Sequence, residues 1–390
     1  MARVKRNTKH VIAADAIAEK PHFGVTQRDI AIRCGVSQVA VSLALRNDPS
    51  IGKAMTENVH RIAAELGYNP AANDSARRLI ARRHGTRLLN KVIALFMPQH
   101  YTSASYFVHL FQGVQDVLEE KGYGLLVITP SSSSEWTTLP EIIQRTGIDG
   151  VIDIGYDFAA KRLKPNAPSE WAALPVVVFL RPQTGCSVVR FDYETATYTA
   201  TSHLLAQGHR DIVQYLSFLP DELETLRIAG ARRAYREFGV DPDTHLHHLR
   251  ISYHWLTADR SRARDEYAAH PEEAAYQQAL LTLLHTHAEI SAILAWNDAV
   301  AIELWYTLIQ TGLRVPDDIS IVGLDDTAPI LNDLGHNILT TVHVPLYELG
   351  NAAAAILLRQ IDAVPAGMHE ESVTLGGELI VRATTAPQSR

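Results

Sequence analysis

The chain has little cysteine: two among 390 residues, Cys34 and Cys186, far apart. So sparse a pair builds no disulfide framework and fits a reducing compartment. Long apolar runs are missing as well. No stretch of about 20 apolar residues is present to cross a bilayer. The basic opening leads into Val11–Ala18, which holds Asp15 and is too short and weakly apolar for a secretion-signal core. The cytoplasm is the expected location. The sequence contains no Gly-x-Gly-x-x-Gly, no P-loop and no Gly-x-Ser-x-Gly. His245, His247, His248 and His254 follow Asp241-Pro242-Asp243 in what reads as a loop and strand start, and no cysteine or acidic partner is convincingly placed to complete a metal site. No catalytic residue, cofactor or metal is therefore expected.

Charge is plentiful but uneven. The net charge is −7, yet residues 1–90 hold fifteen Lys and Arg against seven Asp and Glu, while the remainder holds twenty-one against thirty-six. A basic head on an acidic body suits a phosphate-binding module joined to a larger soluble domain. A length of 390 residues calls for more than one core.

Residues 26–46 read as a helix-turn-helix. Thr26 is a good N-cap, and Asp29 three residues on can reach back to it. Ile30, Ala31 and Cys34 form an apolar stripe, Gly35 permits the tight turn, Val36 plugs the corner and Ser37 caps a second helix. Val41, Ala44 and Leu45 repeat at helical spacing. Gln38, Val39 and Ser42 are left on the other face, where the start of a recognition helix meets base edges. A third helix over about Lys53–Leu66 ends at Gly67, and Pro70 cannot continue it. The segment 71–90 is small, polar and basic, a linker with Arg77, Arg78, Arg82, Arg83 and Arg87.

From Lys91 the pattern alternates. Apolar runs Val92–Met97, Leu125–Thr129, Val151–Ile154 and Val176–Leu180 predict buried parallel strands. Helices are expected near 107–121 and 139–146. A second series follows: helix 195–207, strand Ile212–Ser217, helix 227–238, a strand near 248–252, helix 272–287, strand Ala292–Trp296, helix 298–312 and strand Ile319–Gly323. About ten strands are too many for one compact sheet, so two α/β lobes are predicted. Ligands of such sheets bind beyond the carboxyl ends of the strands. Tyr106, Phe107, Tyr156, Asp157, Arg227, Asn297 and Asp298 fall there.

The motifs resemble the lactose-repressor (LacI/GalR) family over nearly the full length. They are Val36-Ser37-x-x-x-Val41-Ser42, Leu66-Gly67-Tyr68-Asn69-Pro70, Gly208-His209-Arg210, Arg227-x-x-Gly230, Asn297-Asp298, Val315 through Asp326, Leu339-Thr340-Thr341-Val342 and Leu379-x-Val381-Arg382. The resemblance implies an all-α helix-turn-helix DNA-binding head. Behind it comes an α/β two-lobed periplasmic-binding-protein-like body of two doubly wound parallel sheets. The implied layout is an extension at 1–25, the head at 26–70, a hinge at 71–90 and the body at 91–390. The chain is expected to cross between lobes near 190, 325 and 343. That assigns about 91–190 with 325–343 to one lobe, and 191–324 with 344–385 to the other.

The implied function is a homodimeric transcriptional regulator, a repressor by family default. It would bind a near-palindromic double-stranded DNA operator under control of a small-molecule effector, a sugar or related metabolite. Thr26, Ser37, Gln38, Val39 and Ser42 would meet DNA, with Arg77 and Leu79 at a minor-groove hinge. Arg227 and Asp298 would hold the effector by charge-assisted hydrogen bonds. Three positions depart from the family pattern: Thr56 replaces a phosphate-binding arginine, Gly52 replaces a serine cap, and Ala76-Arg77-Arg78-Leu79 lies two residues late after Pro70. The rival readings are a transport solute-binding protein, which needs a secretion signal and no basic head, and an α/β enzyme without a DNA role.

Overall fold

A computed structural model describes residues 25–68, 89–97, 105–129, 147–155, 158–162, 171, 173–217, 222–251, 271–363 and 369–388. The chain divides into two compact units at Leu88 and Leu89. Among its described residues the first unit contains three helices, α1 (Gln27–Cys34), α2 (Gln38–Ala44) and α3 (Lys53–Glu65). Their apolar faces close on one small core of Ile30, Ala31, Val41, Ala44, Val59, Ile62 and Ala63. Helices this short are marginal alone, so that shared core is what holds them.

The second unit holds two six-stranded sheets. The first sheet uses β1 (Val92–Phe96), β2 (Gly124–Ile128), β3 (Gly150–Asp153), β4 (Val176–Phe179), β5 (Ser187–Phe191) and β11 (Ser372–Leu375). Its order is β11-β5-β4-β3-β1-β2, parallel throughout. The second uses β6 (Asp211–Ser217), β7 (Leu246–Ile251), β8 (Ile290–Leu294), β9 (Ser320–Asp325), β10 (Thr340–His343) and β12 (Glu378–Ile380), in the order β12-β10-β9-β8-β6-β7. All its pairs are parallel except β10 with β12. Central strands such as β3, β4, β8 and β9 are buried along their whole length, as parallel strands covered on both faces must be.

The longer helices of this unit are α4 (Ser105–Glu120), α5 (Tyr193–Ala206), α6 (Glu222–Glu237), α7 (Pro271–Thr286), α8 (Asp298–Gln310) and α9 (Leu346–Ala363). Helices α4 and α9 approach through reciprocal glycines. A Cβ on Gly113 would overlap the Tyr347 carbonyl, and one on Gly350 the Leu110 carbonyl. Gly230 lets α6 approach α5 in the same way, against the Glu194 carbonyl.

The lobe boundaries correct the sequence reading in one respect. After β9 the chain does not cross at 325. It runs through a loop whose Ile330 and Leu339 enter the second lobe's core, then pairs β10 in register with β9. Residues 325–343 therefore belong to the second lobe. The residues from Leu346 to Leu375 belong to the first, because α9 packs on α4 and β11 pairs with β5. The crossings lie at Asp192, at Val344–Pro345 and at Gly376–Gly377. Helix α6 also starts five residues earlier than expected, with Glu222 and Glu224 in its first turn. Acidic side chains there complement the partial positive charge of a helix N-terminus. The helix expected at 139–146 lies outside the described residues. Strands β5 and β10 to β12 and helix α9 were not assigned from the sequence.

The crossings meet. A Cβ on Gly377 would overlap the His343 carbonyl and press on the Phe191 ring, whereas Gly376 beside it faces open space. Gly377→Ala is expected to destabilise the protein by about 1–3 kcal/mol through overpacking. Gly376→Ala is expected to change stability by under about 0.5 kcal/mol. Urea unfolding of the two variants checks this.

Two histidines fasten the C-terminal segment to the second lobe. His209 bridges the Ser291 hydroxyl at 2.8 Å and the Ala386 carbonyl at 3.0 Å, and His203 Nε2 lies 3.1 Å from the Thr385 hydroxyl. Burial pulls both imidazole pKa values below the ordinary 6.5. A base whose folded pKa is depressed contributes stability that is present above its unfolded pKa and lost as pH falls toward the folded one. Stability is thus expected to fall from about pH 6.5 downward. His209→Gln should flatten part of that slope in unfolding measured across pH. An unchanged slope would argue against this role.

Candidate nucleic-acid interface and effector cleft

In the head, local chemistry sets the geometry of the helix pair. Asp29 N donates to Thr26 Oγ1 at 3.3 Å, and the Asp29 carboxylate accepts from the Thr26 backbone N–H at 2.7 Å, a closed capping box. Gly35 takes φ +69°, a left-handed conformation that glycine adopts without strain. Ser37 Oγ then accepts from Ala40 N at 3.2 Å and starts α2. Val41 and Ala44 point into the core, so the opposite face of α2 is turned outward. Gln38 is exposed, and Val39 is 69% exposed despite being apolar.

Ser42 is half-buried and already engaged. Arg46 donates to its carbonyl at 2.8 Å and to its hydroxyl at 3.1 Å. Arg46 was not singled out from the sequence, yet it is the exposed cation at the end of this helix. Gly52 caps α3 without a side-chain bond, and Thr56 is half-buried. Arg77 and Leu79 lie outside the described residues.

In the body, Arg227 sits in the second turn of α6 and is 6% exposed. Its guanidinium lies over the Trp296 ring at 3.8 Å and the Tyr193 ring at 4.6 Å, and it donates to the Trp296 carbonyl at 2.5 Å. Its Nε has no hydrogen-bond partner, and neither does Gln214 Oε1. Both residues line one small cavity with Thr197, Gly323, Leu324 and Val342. Buried polar atoms left unpaired are costly, so a pair of them beside a cavity marks a place suited to a polar ligand or water.

Asp298 is placed differently from the expectation of a cleft-facing carboxylate. It is fully buried, and its carboxylate accepts from the Thr341 hydroxyl at 2.6 Å, Thr327 N at 2.8 Å and Ala328 N at 3.3 Å. Burial pushes its pKa up to about 6. A Cβ on Gly323 would overlap this carboxylate. Asp298 thus clamps the loop after β9 onto β10. Asn297 caps α8, accepting from Val300 N at 2.9 Å.

The acid nearest in effect to Arg227 is Asp325. It is buried at the end of β9 and takes φ +115°, a conformation that L residues rarely adopt. Burial and the neighbouring Asp298 charge raise its pKa well above the ordinary value, and Arg227 opposes them. Next to it, Asp326 accepts from Arg382 at 2.9 Å. From sequence, Asp325 was one letter of a motif; its left-handed φ and burial become visible only in the fold. Phe107 lies in the first lobe's core and Tyr106 is half-buried beside it, with ring centroids 4.9 Å apart. Tyr156 and Asp157 lie outside the described residues.

Known proteins resemble this chain in sequence and fold. The profile of bacterial regulatory proteins of the lacI family matches residues 26–71, and that of the periplasmic binding protein-like domain matches residues 201–385. The HTH-type transcriptional repressor CytR of Escherichia coli K12 is 27% identical over 94% of this chain and 98% of its own. Among solved structures, the lac repressor dimer bound to operator and the anti-inducer ONPF superposes with a TM-score of 0.63 at 21% identity, over 93% of this chain and all of its own. A LacI family regulator from Enterococcus faecium with bound ribose gives a TM-score of 0.60 at 24% identity, over 76% of this chain and all of its own. The chain thus resembles bacterial regulatory proteins of the lacI family in its head and the periplasmic binding protein-like domain in its body, and a transcriptional repressor aligns with it almost end to end.

Proposed function

We propose that the protein is a homodimeric transcriptional repressor. Its affinity for a near-palindromic operator is set by a small metabolite bound between the two lobes of the body. The observation that carries this reading is the split character of α2. Val41 and Ala44 are fully buried, while Gln38 and Val39 at its first turn face solvent. A short capped helix offering an amide and an aliphatic side chain at its N-terminal end fits a major groove. Gln38 can bond adenine with donor and acceptor together, and Val39 can meet a thymine methyl. Thr26, Ser37 and Arg46 serve the phosphates, which fix register but read no sequence. Arg77 and Leu79 remain the proposed hinge contacts.

In the body, Arg227 is the proposed anchor for the effector, with Asn297 and the first-lobe residues Tyr106, Phe107, Tyr156 and Asp157 around it. We assign the acidic partner to Asp325 rather than Asp298, whose oxygens are already taken. A guanidinium and a carboxylate can together grip vicinal hydroxyls, which suits a sugar or a nucleoside. The ribose found in the Enterococcus faecium relative accords with that chemistry. The protein acts as a binder in the cytoplasm, and no residue is given a catalytic part.

Selection from a random duplex library at low salt is expected to enrich one inverted repeat; no enriched repeat would overturn the reading. Exchange of the reading pair, Gln38→Ala with Val39→Gln, should change the preferred bases within each half-site. Affinity for the original site should fall by about 5- to 150-fold. Equal weakening on all sequences would contradict base reading. For the cleft, Arg227→Ala and Asp325→Asn are each expected to remove the binding of an active metabolite while operator binding persists. Calorimetry with ribose, other pentoses and hexoses, nucleosides and nucleobases supplies the comparison.

A further inference from the structure

The second sheet has another chemically loaded end, opposite the cleft. Arg227, Trp296 and Asp325 gather where strands finish; Asp211, His245, His247, His287 and Glu289 gather where β6, β7 and β8 begin. Asp211 is the first residue of β6, His247 the second of β7, and His287 and Glu289 lie in the turn that leads from α7 into β8. The sequence spacing separates these residues by up to 78 positions, so no short motif contains them. Parallel pairing brings them together: β7 and β8 flank β6, with Ile212 in register with both Leu246 and Ala292.

The contacts are specific. His287 Nδ1 lies 3.0 Å from a Glu289 carboxylate oxygen. His247 and His287 rings are 4.8 Å apart. One potential ligand atom from each of His247, His287 and Glu289 lies within 4.8 Å of the other two. Behind them Asp211 Oδ1 receives His247 Nε2 at 3.2 Å and His245 Nδ1 at 3.0 Å. Imidazole nitrogens and a carboxylate oxygen bind zinc at about 2.0–2.2 Å, so tetrahedral ligand atoms stand about 3.4 Å apart. The His287–Glu289 pair already stands at 3.0 Å, and the whole set spans no more than 4.8 Å, so side-chain adjustment that includes His247 is what brings the three to that spacing.

We propose that His247, His287 and Glu289 ligate a divalent transition-metal ion of the zinc class at the base of the second lobe. Asp211 acts as a positioning residue: a carboxylate that accepts one ring nitrogen of a histidine fixes its orientation and leaves the other nitrogen for the metal. Two imidazoles and one carboxylate select zinc-like ions over magnesium or calcium, which take oxygen ligands. Three protein ligands leave a fourth position for water. The ion would tie the edge strand β7 to the turn before β8. It is chemically separate from the effector cleft and does not depend on the effector assignment.

The test uses the full chain, stripped with chelator and titrated with zinc chloride alone by calorimetry, with cobalt(II) absorption as a second readout. One equivalent per chain is expected, with a tetrahedral cobalt band that zinc displaces and a rise in thermal midpoint on zinc addition. His287→Ala and His247→Ala should each lower zinc affinity by at least about tenfold, and Asp211→Asn by about 10- to 100-fold. Surface His109→Ala should leave it unchanged. Glu289→Gln, on an exposed side chain, covers the case in which a histidine variant fails to fold. Magnesium should not compete. Absence of zinc binding to the folded wild-type chain overturns the proposal. So does binding that survives His287→Ala and Glu289→Gln unaltered.

Discussion

The body depends on one crowded point, where its three lobe crossings touch. Gly377 has no room for a side chain because the His343 carbonyl and the Phe191 ring occupy the space. The first crossing continues from Phe191 through Asp192 into Tyr193, whose ring meets Phe191 edge-on at 5.1 Å. Tyr193 in turn lies under the Arg227 guanidinium, and Trp296 covers its other neighbourhood. The crossing and the cleft cation are therefore links of one packed aromatic chain. Packed interiors do not deform continuously, so a change in how Arg227 is held can be passed to the crossing. It offers a contiguous physical route from the proposed effector contact at Arg227 to the lobe crossings.

The charges around this chain are arranged against each other. Arg227 is buried, and a buried cation needs compensation. Its carbonyl, ring and carboxylate neighbours supply part, and one guanidinium nitrogen is left without a partner. Asp298 and Asp325 repel, and burial lifts both toward the neutral form. Asp298 is settled by three donors from the β9–β10 segment, which makes it a structural clamp. Asp325 is held in an unfavourable backbone conformation and stays opposed to Arg227. Strain and unmet bonding at one place support the proposal that Arg227 and Asp325 contact the effector.

Much of the head was legible because its signals are local. Thr26, Asp29, Gly35 and Ser37 act within four residues of themselves, and each forms the cap or turn its chemistry predicts. The strands that were read, such as β1, β4 and β8, carry continuous apolar runs. Those that were missed do not. Strand β10 begins Thr340-Thr341, and its hydroxyls are buried against Thr385 and Asp298, partners 45 and 43 residues away. Strand β11 is a half-exposed edge, and β12 is three residues long. Without β10 as the continuation of the second sheet, a crossing near 325 was the simplest path. The cleft suffered the same loss. Arg227 stood out as a cation beyond a strand, while the engagement of Asp298 depends on donors contributed by the loop at 327–328, which no local pattern reveals.

An effector can shift DNA affinity only through its differential affinity for two states of the protein. The central claim is that these two sites belong to one equilibrium. The decisive measurement is the affinity of the wild-type chain for its selected operator, by fluorescence anisotropy, with and without saturating amounts of a metabolite that calorimetry shows to bind. The account predicts a change of about 5- to 150-fold, the usual span of such coupling. A metabolite that occupies the cleft and leaves operator affinity untouched would contradict it.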